Sequence, residues 1–143
     1  MKRILILMVA LLCCDIAAEA QIKVTKKTEI NEVFSSRMGY VTICESNGNY
    51  YLSLPSSNQF DDPYIILLGQ TKKEALESVV SLLQMAQDIK KGETYEIETK
   101  IEKFTIGRGM TKGTIAITAS GYAGFASTSA TELKGMIDAL RKQ

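Results

Sequence analysis

Gly107-Arg108-Gly109-Met110-Thr111-Lys112-Gly113 sets two cations among flexible backbone amides, a combination that can hold a phosphate or a carboxylate. It lacks the Gly-Lys-Ser/Thr order of a phosphate-binding loop. It also leads into the strand-like Thr114-Ile115-Ala116-Ile117-Thr118, so no helix dipole would favour an anion there. The segment therefore reads first as a hairpin connection. Arg108, Lys112 and an exposed tyrosine, Tyr51, are the residues expected to touch a ligand.

Other residue types point less far. Asp61 and Asp62, with Asn58, Ser56 and Ser57 nearby, offer hard oxygen ligands, but without the alternating acidic spacing of a calcium loop. Turn chemistry ahead of Pro63 accounts for the same residues. Cys44 would need a neighbouring base or cation to become a nucleophile, and the 143 residues contain no histidine. The same absence removes the commonest general base and metal ligand, so most hydrolase and zinc-site chemistries lose a required part. No catalytic residue, metal or cofactor is assigned. Tyr40, Tyr50, Tyr51, Tyr64, Tyr95 and Tyr122 fall on strand-like segments, where aromatic side chains fill a pleated surface. If several shared one exposed face with Lys23, Lys26 or Arg108, they would make a stacking platform for bases or sugars.

The elements that position these residues begin after an export signal. Met1-Lys2-Arg3, the apolar Ile4 to Leu12 and the small-x-small Ala18-Glu19-Ala20 come in the order of a secretory signal peptide, predicting residues 1–20 as removed and Gln21 as the mature start. Lipid attachment at Cys13 or Cys14 is the lesser alternative, because Leu12 stands where a small residue should precede the thiol. The apolar run is well short of the roughly 20 residues that span a bilayer, so no stable transmembrane insertion is expected. The destination is periplasmic or extracellular. Cys44 alone then remains, leaving stability to packing rather than disulfides.

Residues 21–143 suit one α+β domain with pseudo-repeat halves 21–92 and 93–143. Ile22 to Ile30 reads as a strand with Lys23, Lys26 and Lys27 exposed. Asn47-Gly48 between Tyr40–Ser46 and Asn49–Leu54 predicts a two-residue hairpin pairing Ile43 with Leu52 and Val41 with Leu54 on the core face, with Cys44 beside Tyr51 on the other. Residues 55–63 read as a loop, and Tyr64 to Leu68 as a strand buried on both sides. A capping box at Thr71 and Glu74 opens a helix with Leu76, Val79, Val80, Leu83 and Ala86 inward. Tyr95, Ile97, Thr99 and Ile101 alternate with charges, and the phase change at Phe104 and Ile106 implies a bulge or a break near Lys103. After strands at Thr114–Thr118 and Tyr122–Ala126, Ser129 and Glu132 repeat the capping box before Leu133, Met136, Ile137 and Leu140.

At an offset of 58 residues Tyr64 matches Tyr122, Thr71 matches Ser129 and Glu74 matches Glu132. The prediction is a mostly antiparallel fold of two similar strand-rich units, each closed by one helix, β4α followed by β3α or β4α. In element order this resembles the tandem β4α arrangement of the Whirly and PUR families and the strand-rich unit of the PC4 coactivators. That resemblance implies single-stranded nucleic-acid binding. The formal charge of +1 argues against it, since no global field would draw the chain to a polyanion. The leading expectation is a small exported, non-enzymatic domain acting by binding or self-association, homo-oligomers included, with ligand and partner undefined. The alternatives are a single-stranded nucleic-acid or glycan binder using the tyrosine-bearing sheet, and a His-free enzyme with carboxylate or lysine chemistry.

Overall fold

The computed structural model describes residues 28–143; the signal segment, Cys13, Cys14, Lys23, Lys26 and Lys27 lie outside the described residues. β1 (Ile30–Ser36), β2 (Val41–Ser46), β3 (Asn49–Leu54) and β4 (Tyr64–Gly69) form one sheet in chain order, followed by α1 (Lys72–Asp88). β5 (Thr94–Glu98), β6 (Lys103–Arg108), β7 (Thr114–Ala119) and β8 (Ala126–Ser129) form a second, followed by α2 (Ala130–Lys142). Every neighbouring pair is antiparallel. Both units are thus β4α, and the fold is α+β with an internal repeat of plan.

Local chemistry explains most boundaries. Asn47 and Gly48 have φ of 52° and 81°, the left-handed pair that a two-residue turn between twisted strands requires. Ile43 then faces Leu52, and Cys44 faces Tyr51. The phase change after Thr99 is a break rather than a bulge. Thr99 N–H donates to the Glu102 carbonyl at 2.9 Å and its hydroxyl accepts from Glu102 N–H, which folds the chain back so that β5 and β6 are separate strands. Tyr95 and Ile97 of β5 consequently sit opposite Ile106 and Phe104, on one face.

Four expectations need correction. The first described strand is Ile30–Ser36, beginning where the expected Ile22–Ile30 strand was to end; Thr28 and Glu29 are not in a strand. A bulge between Glu32 and Phe34 breaks its alternation, which hides it from a period-two pattern. β4 is buried on one face only. Tyr64, Ile66 and Leu68 point into the core, while Ile65 on the other face is 45% exposed, since no described element covers that side of the sheet. Tyr122 lies in the loop before β8, which starts only at Ala126. The stripe of α1 is also rotated by about one position: Ala75, Val79, Leu82 and Ala86 are buried, and Leu76, Val80 and Leu83 flank them.

One cluster of buried apolar side chains runs through both units, from Val41, Ile43 and Leu52 to Ile115, Ile117 and Leu140. The helices pack on each other; α1 also lies on β4 and reaches β7, and α2 lies against β1 and touches β8. The junction is completed by reciprocal contacts. Tyr64 and Tyr122 stack with ring centroids 4.1 Å apart, and each donates its hydroxyl across, to the carbonyls of Gly124 at 2.8 Å and Pro63 at 3.4 Å.

Carboxylates cross the junction in both directions. Asp61 accepts from Gly124 N–H at 2.7 Å, while Glu132 receives both Nε and a terminal nitrogen of Arg37 at 2.6 Å. Gly124 is required by close approach, since a Cβ there would press on Ser56, Ser57 and Asn58. Arg37 and Met38 occupy left-handed backbone at φ of 49° and 59°, a conformation costing a non-glycine residue roughly 1–2 kcal/mol. The bidentate pair with Glu132 holds the turn there.

Candidate functional site

A cleft of about 670 Å³ opens where the two units meet. One wall is the end of β4 with α1, the other is β5 and the start of its turn. Leu68 and Leu82 are buried at its base, with Met85 and Ile97 half-buried beside them. Glu74, Glu96 and Glu98 stand exposed around the rim, with Lys100 as the single cation of the lining. An apolar base under a net acidic rim suits a ligand that is partly apolar and positively charged.

The polar groups of the cleft differ in how far they are already engaged. The Ser78 hydroxyl donates to the Leu68 carbonyl at 2.6 Å, and the Ser81 hydroxyl to the Glu77 carbonyl at 3.0 Å. Both cleft serines thus give their protons to main-chain acceptors, an arrangement that orders α1 rather than activating a nucleophile. Glu74 accepts Gln70 N–H at 2.8 Å, while Thr71 accepts Glu74 N–H, so the return arm of the expected capping box lands one residue early. Glu98 pairs with Lys103 at 3.3 Å, but both side chains are well exposed and such a pair is weak.

The backbone of β5 is the other polar surface. Because Thr99 N–H turns toward β6, strand alternation turns the main-chain groups of Ile97 the same way and those of Glu96 and Glu98 outward. Among the described residues β5 is an edge strand, with no neighbouring strand on that side.

The residues singled out from the sequence lie elsewhere. Arg108 ends β6 and lines a depression of about 520 Å³ together with Lys91 and Glu93. Lys112 stands exposed in the turn that follows. That turn engages its own amides: Gly109 N–H donates to the Thr114 carbonyl at 2.8 Å and Thr111 N–H to the Thr114 hydroxyl at 3.3 Å. Tyr51 is half-buried in the other sheet, opposite Cys44 and Leu67, so it is not brought to the same hairpin end as the two cations. The tyrosines form no common face. Tyr50 and Tyr51 point to opposite sides of β3, Tyr64 is fully buried, and Tyr40 stands in the turn before β2.

Asp61 is held by Ser56 Oγ at 2.9 Å, Asn58 Nδ2 at 3.2 Å and Gly124 N–H. The Gly124 hydrogen bond is the main reason its carboxyl is pushed below the ordinary aspartate value. This is the geometry of a docked loop. Among the described residues, no three of His, Cys, Asp and Glu come together in a way that could hold a metal ion, and no helix is long and apolar enough to cross a membrane.

Sequence reasoning missed the cleft residues Glu74, Leu68, Met85, Glu96 and Glu98 as a set. The alternation of Glu96 and Glu98 with Ile97 announced a wet face, but nothing local reports that β5 is an edge or that α1 lies across from it. No family model matches the chain, and no curated protein or solved structure matches it.

Proposed function

We propose that this chain is a small exported domain that acts by binding, without chemistry of its own, and that the cleft between β4–α1 and β5 receives the ligand. The observation that carries this reading is the cleft itself. It is an apolar base open to solvent, its serines committed to main-chain carbonyls and its rim net acidic. The order of charge, apolar run and cleavage triplet in residues 1–20 supports export.

The test is a ligand screen by thermal shift on protein beginning at Gln21, run in parallel on Met85→Trp, which fills the base of the cleft. A ligand that binds the native state raises Tm in proportion to its concentration over Kd. The expected result is a set of cationic, partly apolar compounds that stabilise the parent and not Met85→Trp. Hits unaffected by Met85→Trp would place binding elsewhere. Mass spectrometry of the secreted form checks export; an N-terminus other than Gln21, or a lipid on Cys13 or Cys14, overturns that part.

A second reading is favoured by the depression at the far end of the second sheet, where Lys91 and Arg108 line one surface with Lys112 in the adjoining turn. Two or three cations there suit an anionic group of a glycan or nucleic acid; Tyr51, on β3 of the first sheet, is not among the residues lining that depression. Loss of anion binding in Arg108→Ala, with cleft ligands unaffected, would separate the two sites.

A further inference from the structure

We propose that the cleft captures an extended peptide of alternating cationic and apolar residues, which adds to β5 as a fifth strand of the second sheet. The proposal deepens, and rests on, the reading of the cleft as the binding site. Its starting point is the difference between the two edges that face the cleft. On β4 the Leu68 carbonyl is already engaged, accepting the Ser78 hydroxyl at 2.6 Å. Among the described residues the outer edge of β5 has no neighbouring strand, and the N–H and C=O groups of Glu96 and Glu98 point out of it. An unpaired edge beside a concave apolar surface is the arrangement by which sheets accept an added strand.

Charge decides the occupant. A second copy of this chain pairing β5 against β5 would set Glu96 and Glu98 against the same two carboxylates, and like charges directly opposite each other are destabilising. A peptide bearing Lys or Arg at alternate positions reverses the sign at each contact. Its cations would stand beside Glu96 and Glu98 on the exposed face of the sheet. The intervening side chains, on the opposite face by the two-residue period of a strand, would fall over Ile97 and the Leu82 and Met85 base. Glu74, across the cleft on α1, adds a third carboxylate to the same field. The edge supplies affinity through main-chain hydrogen bonds, and the alternation supplies selectivity.

The probe is a synthetic ten-residue peptide of alternating lysine and valine, acetylated and amidated. Its controls are a glutamate-valine counterpart and a version N-methylated on one face of the strand, then on the other. The protein is the full mature chain. Titration is expected to show the lysine peptide binding at least tenfold more tightly than the glutamate peptide, with the preference inverted in Glu96→Lys/Glu98→Lys. These side chains are exposed, and an unchanged melting temperature will verify that the double variant folds. N-methylation of the face that meets β5 should abolish binding; methylation of the opposite face should not. Hydrogen exchange should show the Glu96 and Glu98 amides becoming protected when peptide is added.

Each other outcome overturns a defined part. Binding that Met85→Trp blocks, but that neither methylation nor amide protection tracks, removes strand addition and leaves the cleft as the site. Binding of both peptides alike removes the charge argument. Protection of the Glu96 amide with increasing protein concentration and no peptide, together with a dimer in sedimentation, would make a second copy the occupant. If no peptide binds, strand addition falls; the reading of the cleft stands or falls separately on the Met85→Trp comparison in the ligand screen.

Discussion

The two β4α units follow one plan but reach it by different local means. In the first, β2 and β3 are joined by Asn47-Gly48 alone, whereas β6 and β7 are joined by the five residues 109–113. In the first, Glu74 at the third position of α1 serves only the chain just before it, at Gln70. Its counterpart Glu132 completes a capping box with Ser129 and also holds Arg37 of the other unit. Equivalent positions in a repeat thus take on unequal work once two units must share one core. The residue that also spans the junction is the one whose loss should be felt beyond its own helix.

The largest expected effect tests the stacked tyrosines, which the 58-residue offset equates but the environments separate. Tyr64 is completely buried and its hydroxyl bond is 2.8 Å long; Tyr122 is half-buried with a bond of 3.4 Å. Tyr64→Ala should cost about 3–5 kcal/mol, the range for truncating a core aromatic. Tyr122→Ala should cost roughly half of that, since less of its surface is withdrawn from water. Urea unfolding midpoints at constant m-value measure both. Equal losses would mean that the ring stack, and not burial in the first unit, governs the junction.

Next in size is the contrast between the two capping glutamates. Glu132→Ala removes an N3 acceptor, a bidentate arginine partner and the Thr128 hydroxyl contact at 3.3 Å. Its side chain is 15% exposed and that of Arg37 is 40%, so solvent screens the pair in part. A loss of about 2 kcal/mol is expected, against about 0.5 kcal/mol for Glu74→Ala on its exposed cap. A double-mutant cycle with Arg37→Ala should return a coupling for Glu132, and none for Glu74. Should both glutamates give the same loss and no coupling, the asymmetry between the units would be one of geometry alone.

The same contrast shows what a linear sequence discloses. The Asn47-Gly48 hairpin, its register, the Ser129–Glu132 box and the buried stripe Leu133, Met136, Ile137 and Leu140 were all legible, because each is written within a few residues by turn chemistry or a helical period. β1 was not legible, since it is an edge strand with Ile30, Asn31 and Glu32 exposed and a bulge at Val33. Nor was the open face of β4, because four apolar residues in a row look alike whether or not a second layer covers them. Arg37 carried no signal at all. Its partner lies 95 positions away, and its left-handed backbone is not one that its residue type announces. The cleft escaped for the same reason, being assembled from residues 66–85 and 96–100 only after the units dock.

A smaller effect isolates the turn that distinguishes the first unit. Gly48 has φ of 81° and nothing within 4 Å of where a Cβ would stand, so a substitution there meets strain in the backbone and not a clash. Gly48→Val should cost about 1 kcal/mol, because a β-branched residue is disfavoured at positive φ. The comparison is Met110→Val in the longer turn of the second unit, at a 95% exposed position, where little change is expected. An unmoved unfolding midpoint in Gly48→Val would remove the two-residue turn as the device that sets the β2–β3 register.

The smallest expected effect is the dependence of stability on acid, and it separates the junction from the interior of one unit. Among the described residues three carboxyls are shifted below their ordinary values: Asp61 chiefly through Gly124 N–H, Glu45 through Asn31 and then Gly48 N–H, and Glu132 because its burial, which raises it, is outweighed by Arg37 and then Ser129 N–H together. A carboxyl whose folded pKa is depressed contributes stability that is complete above its unfolded pKa and disappears as pH falls through the folded one. With ordinary values of 4.5 for glutamate and 3.8 for aspartate, the loss should begin below about pH 5 and deepen through pH 3. Asp61 and Glu132 each cross between the units, whereas Glu45 binds within the first sheet. Asp61→Asn/Glu132→Gln should therefore flatten most of the decline in Tm between pH 5 and pH 3, and Glu45→Gln only a minor part. If Glu45→Gln flattened it as much, acid would be acting on the first sheet itself rather than on the contacts that join the two units.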